Sequence, residues 1–152
     1  MKRVEVKLNL EAVAPLLDVI NDAADDLRPV LAVAPHVPDH EADFADGWKR
    51  ELLEGQNGDI GVFLGLFGSE FFLTGVVPLD PTNSEAILRA CSAVRLRLRA
   101  KHLEPLGDEA LESNEVPLEE MPETQHKAFA AYVFLATLQE LIVQHLDPTG
   151  LE

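Results

Sequence analysis

Three groups of residues in the sequence carry side chains able to bind or react. The first joins Arg95, in AVRLRL, to Glu140, in LQELIV. On a helical wheel Ile87, Cys91, Val94 and Leu98 form one apolar strip, and Leu88, Leu96 and Leu103 form a second. Arg95 falls between the strips, so its aliphatic stem is expected to be buried. A guanidinium in apolar surroundings requires a carboxylate or several carbonyls. Glu140 stands where the last apolar segment first turns polar. The pattern predicts an Arg95–Glu140 pair, or Arg95 bonded to helix-end carbonyls. Such a contact reads as a clamp that fixes helix register. The alternative is an anion-binding pocket around Arg95.

The second group is the basic run Arg89, Arg95, Arg97, Arg99 and Lys101, five of the chain's 12 basic residues within thirteen positions. Arg89 and Arg97 share a helical face with Ala93 and Ala100. The stretch from Glu104 to Glu123, with eight acidic residues and no basic one, follows directly. It is expected to fold back and neutralise the run. The alternative is a docking face, through Arg89 and Arg97, for an acidic partner or a second subunit. The third group is His36, Asp39, His40, Glu41 and Asp43. Two histidines and three carboxylates suit a divalent metal, but the spacing matches no metal signature and the nearby prolines imply a solvated loop. His36, His40 and Asp39 are therefore only weak metal candidates, and no metal or cofactor is expected.

The lone Cys91 has apolar neighbours and reads as a small buried hydrophobe. His102, His126 and His145 fall at or near helix ends, where a cation at a C-terminus is favourable. The sequence holds no nucleophile elbow, phosphate loop or paired-cysteine motif.

The elements that must position these residues follow from periodicity. Val4, Val6 and Leu8 alternate with Arg3, Glu5 and Lys7, which predicts a half-buried strand. Asn9 offers a cap to a helix with apolar positions Val13, Leu16, Leu17, Ile20, Ala24 and Leu27. Pro15 implies a kink or a later start. Residues 28–38, with three prolines, read as an irregular connection. Phe44, Ala45, Trp48, Leu52 and Leu53 predict the apolar face of a second helix, ending near Gly55 and Gly58. A third helix is expected over 59–67. GxxxG spacing at Gly61 and Gly65 suggests close helix packing or nothing. Residues 70–77, EFFLTGVV, suit a strand. Asp80-Pro81 reads as the start of a helix running to about residue 103. A last helix is expected from Pro122 to before Asp147-Pro148, and its all-apolar stretch 128–136 marks the centre of the core.

The chain has 152 residues, enough for one domain spanning 1–152, with loops at 28–38 and 104–123. The expected class is α+β: about five helices packed with a two-stranded antiparallel sheet. A net charge of −15 disfavours nucleic acid and anionic membrane as partners. The N-terminus lacks an apolar signal region, and a single cysteine suits a reducing compartment. Together these suggest a cytoplasmic protein. The apolar stretch 60–79 is interrupted by Glu70, Pro78 and four glycines, unlike a membrane helix.

Val94, Arg95 and Leu96, together with Tyr132, Phe134, Leu135, Leu138, Gln139, Glu140 and Val143, resemble motifs of a mainly actinobacterial family of uncharacterised proteins, domain-of-unknown-function family 2017. Ala93 and Phe134 depart from it, standing where an acidic residue and a tryptophan are usual. The resemblance implies a strand followed by a helical body and assigns no activity. Its members' genes often neighbour one for a Clp protease adaptor, which points to proteostasis or regulation. The expectation is thus a regulatory or protein-binding module without catalysis, acting on a protein partner or as a homodimer. The alternative is a small-molecule or anion binder, or a small enzyme, using Arg95 and Glu140.

Overall fold

Residues 3–33, 42–106 and 121–146 are described in the computed structural model. The alternating N-terminal segment forms strand β1, Val4–Lys7, with Val4 and Val6 half-buried and Glu5 and Lys7 exposed. It pairs antiparallel with β2, Val76–Leu79, in the register Val4 opposite Leu79 and Val6 opposite Val77. Pro78 lacks a donor and is tolerated because the sheet has only two strands. The Leu8 N–H donates to the Gly75 carbonyl at 2.7 Å and carries the ladder one step further.

Helix α1, Leu10–Asp26, starts where expected: the Asn9 side chain accepts from the N–H groups of Glu11 and Ala12. The helix continues through Pro15, which is exposed like Glu11, so water can serve the carbonyl that the proline leaves without a donor. Helix α2, Ala42–Gly65, replaces the two helices expected over this region. Its internal glycines do not break it, because each costs only about 1 kcal/mol and burial of Ile60 and Phe63 outweighs that. Gln56 and Asn57 also tie α2 to the segment after α1. Gln56 donates to the carbonyls of Leu27 and Val30 and accepts from the Ala32 N–H, while Asn57 donates to the Arg28 carbonyl.

The strand expected at 70–77 is half helix. A short helix α3, Ser69–Thr74, precedes β2 and ends at Gly75, whose φ of 71° reverses the chain. Aromatic content suggested a strand here, but the flanking Gly68 and Gly75 delimit a helical turn that buries Phe71. Asp80 caps a turn instead of the helix itself, accepting from the N–H groups of Thr82 and Asn83 and from the Thr82 hydroxyl. Helix α4 then runs Ser84–Leu98, shorter than expected. It passes into a π-helical turn, Arg99–Leu103, and a 3-10 turn, Glu104–Leu106. Helix α5, Glu123–His145, has the expected bounds.

The fold is α+β, mostly helical with one small sheet, as the periodicity implied. Helix α4 packs against α2 on one side and α5 on the other, and α5 also meets α1. Every residue from 128 to 136 is buried or half-buried, so α5 is the central helix. Phe63, Phe67 and Phe71 pack edge-to-face at 5.3 and 5.1 Å, and Phe67 reaches Phe134 on α5 at 6.3 Å. No described helix is long and apolar enough to cross a membrane.

Candidate functional site

Arg95 lies at the α4–α5 junction with a half-buried side chain, but its partner is not Glu140. One guanidinium nitrogen, Nη1, donates to Gln139 Oε1 at 2.8 Å, and the guanidinium carbon lies 4.4 Å from the centre of the Tyr132 ring. Glu140 is one residue further on, about 100° round the helix. It is exposed and accepts from Gln144. The amide nitrogen of Gln139 donates to the Leu88 carbonyl and to Ser92 Oγ, so one glutamine holds α5 to α4 at three points. This is the register clamp expected of Arg95, built around a neutral side chain. The Nε–H of Arg95 is buried and makes no hydrogen bond among the described residues.

Three members of the basic run, Arg89, Arg97 and Lys101, meet carboxylates from distant parts of the sequence. Arg89 makes a two-pronged contact with Asp59 of α2, at 2.9 and 3.0 Å, and lies 3.8 Å from Glu85. Arg97 and Lys101 both donate to Asp26, the last residue of α1, at 3.0 and 2.8 Å. These contacts hold Asp26 below the usual carboxylate range, with Lys101 the largest cause. Arg89 and Arg97 therefore serve contacts within the fold. The acidic stretch expected to cover them falls largely at 107–120, outside the described residues. So do His36, Asp39, His40 and Glu41, and nothing is described of the Asp43 side chain.

Burial pushes the Cys91 thiol up to about 12, which removes thiolate chemistry at neutral pH. His102, in the π-helical turn, is held below its ordinary value by burial and then by Lys101 and Arg97. Its backbone carbonyl accepts from Gln125 of α5.

The apolar face read on α2 lies at the surface. Phe44, Trp48 and Leu52 do not enter the core: they are 78%, 44% and 38% exposed. At four-residue spacing they form one stripe along α2. The stripe leads into a groove of about 570 Å³ between α2 and α4, walled by Leu52 and Gly55 on one side and by Leu88 and Leu96 on the other. Leu96, in the second apolar strip of the wheel, is 41% exposed. Leu31 and Val33 and the Asp59–Arg89 pair also line the groove. Arg95 does not line it.

Periodicity identified Trp48, Leu52 and Leu96 as apolar faces. It could not separate a face turned to the core from one turned to a surface groove. Polar residues beside the stripe, Lys49, Arg50 and Glu51, were the available signal. The chain matches no protein-family model, no curated protein and no solved structure.

Proposed function

We propose that this protein is a cytoplasmic regulatory or protein-interaction module without catalytic activity, and that a protein partner docks in the α2–α4 groove. The resemblance to family 2017 is consistent with this reading. The observation that carries it is the exposed apolar stripe of Phe44, Trp48 and Leu52 on α2, whose Leu52 lines a formed groove together with half-exposed Leu96 of α4. Contiguous exposed apolar surface of this kind marks interaction sites. Arg89 and Arg97 are both engaged in ion pairs within the fold, which favours the groove over the basic face as the dock.

The test is a comparison of wild-type, Leu96→Asp and Arg95→Leu baits in extracts of the native host. A partner should be recovered with the wild type and with Arg95→Leu, be lost with Leu96→Asp, and bind again when both proteins are purified. Identical recoveries from all three baits would remove the groove from the proposal.

A second reading, an anion site at Arg95, draws on the buried Nε–H that lacks a partner. A small oxyanion beside Tyr132 would supply the missing acceptor. Glu140 has no part in it, being exposed and bonded to Gln144. Phosphate or sulfate should then raise the melting temperature of the wild type and leave Arg95→Leu unmoved. Equal shifts in both proteins would dismiss the site.

A further inference from the structure

The groove's charges select among partners. We propose that its occupant is a basic amphipathic helix of another protein, an inference that rests on the interaction reading above. Three carboxylates or cations line the groove: Glu51, Asp59 and Arg89. Arg89 is held by Asp59 in a two-pronged contact and has Glu85 nearby. Glu51 is exposed and has no paired cation among the described residues. The lining is therefore apolar with a negative excess, on a chain whose net charge is −15. A second copy of this chain would bring the same carboxylates and the same net charge to the contact. A partner presenting lysine or arginine beside its apolar face is attracted both locally and at long range.

The shape points to a helix. The stripe from Phe44 to Leu52 rises roughly 12 Å, about two helical turns. A docked helix presents apolar residues at intervals of three and four to such a surface. Gly55 adds no side chain to the wall, and an added Cβ there would meet nothing within 4 Å, so the groove stays open beside it.

Trp48 is the chain's single tryptophan and belongs to the stripe, so its fluorescence reports occupancy directly. Three synthetic peptides of about 18 residues, long enough to support a helix, provide the probes. One is a leucine–lysine sequence with its leucines on one helical face. The second replaces lysine with glutamate. The third is the leucine–lysine composition scrambled to remove the face. The first should shift Trp48 emission to the blue and saturate, binding at least about ten-fold more tightly than the others, a difference of about 1.4 kcal/mol.

Leu96→Asp separates groove binding from simple attraction. It adds negative charge, so non-specific attraction would strengthen, whereas groove binding should weaken by about ten-fold or more. Circular dichroism and an unchanged urea midpoint would verify that this half-exposed position leaves the fold intact. Equal binding of the scrambled peptide, or tighter binding to Leu96→Asp, would overturn the proposal. Equal binding of the glutamate peptide would retain a helix-docking groove and reject the basic partner. A dimer seen by sedimentation and abolished by Leu96→Asp would give the groove to a second copy. If no peptide binds, the helix inference fails, while the bait comparison above still decides the interaction reading separately.

Discussion

Replacing Gln139 by alanine is expected to destabilise the protein more than replacing Arg95 by leucine. Gln139→Ala removes three hydrogen bonds between α4 and α5, and a loss of about 1–3 kcal/mol is expected. Arg95→Leu also discards a buried donor that has no acceptor, so its net cost should be under about 1 kcal/mol. Urea unfolding of both variants checks the order. His102 gives a pH-dependent outcome. Burial, Lys101 and Arg97 oppose its protonation, against weaker support from Asp26 and Asp22. On acidification the unfolded chain therefore takes up the proton first. The stability due to neutral His102 is complete above about pH 6.5 and is lost as pH falls through the lower folded value. His102→Gln should flatten the stability curve in that window, read as urea midpoints between about pH 7.5 and 5. The residue-level reading of the sequence placed Arg95 at the helix junction and Cys91 in the core. It missed the partners because helix rotation decides whether Gln139 or its neighbour faces α4. It also missed Asp26 and Asp59, which meet the basic run only through tertiary packing.

At the scale of elements, Gly75 is the most constrained junction. Its φ is positive, and an added Cβ would lie 2.9 Å from the Leu8 carbonyl oxygen, a backbone atom with little room to move. Gly75→Ala should cost about 1–3 kcal/mol by chemical denaturation. Helix α2 behaves oppositely. At Gly61 an added Cβ meets nothing within 4 Å, so the GxxxG spacing does not mark close packing. Gly61→Ala should stabilise by up to about 1 kcal/mol, seen as a raised urea midpoint. Strand β1, the Asn9 cap and both ends of α5 were legible because local pattern and tertiary packing agree there. The fusion of two expected helices into α2 was not, since glycine is a weak terminator when buried residues such as Phe63 continue across it. The α3–β2 boundary was obscured because aromatic and β-branched residues occupy both sides of the turn at Gly75.

For the molecule as a whole, charge and surface dominate. With a net charge of −15, self-repulsion opposes the compact state. The ion pairs at Asp26 and Arg89 are partly exposed and contribute little each. Raising salt from about 0.05 to 0.5 M should therefore increase the melting temperature by a few degrees, the size of a gain of about 1 kcal/mol in a domain of this length. A fall would mean that the ion pairs outweigh the repulsion. The class of fold was readable from the sequence. The groove was not, because it arises from how α2 lies against α4.

The chain order of the elements also bears on synthesis. Strand β1 leaves the ribosome before α1 and α2, yet its partner β2 follows both. Helix α5, which fills the centre, emerges after every element it packs against. Until then the faces of α1, α4 and the π-helical turn that pack on α5 lack their cover. Completion of this core is thereby coupled to the synthesis of α5.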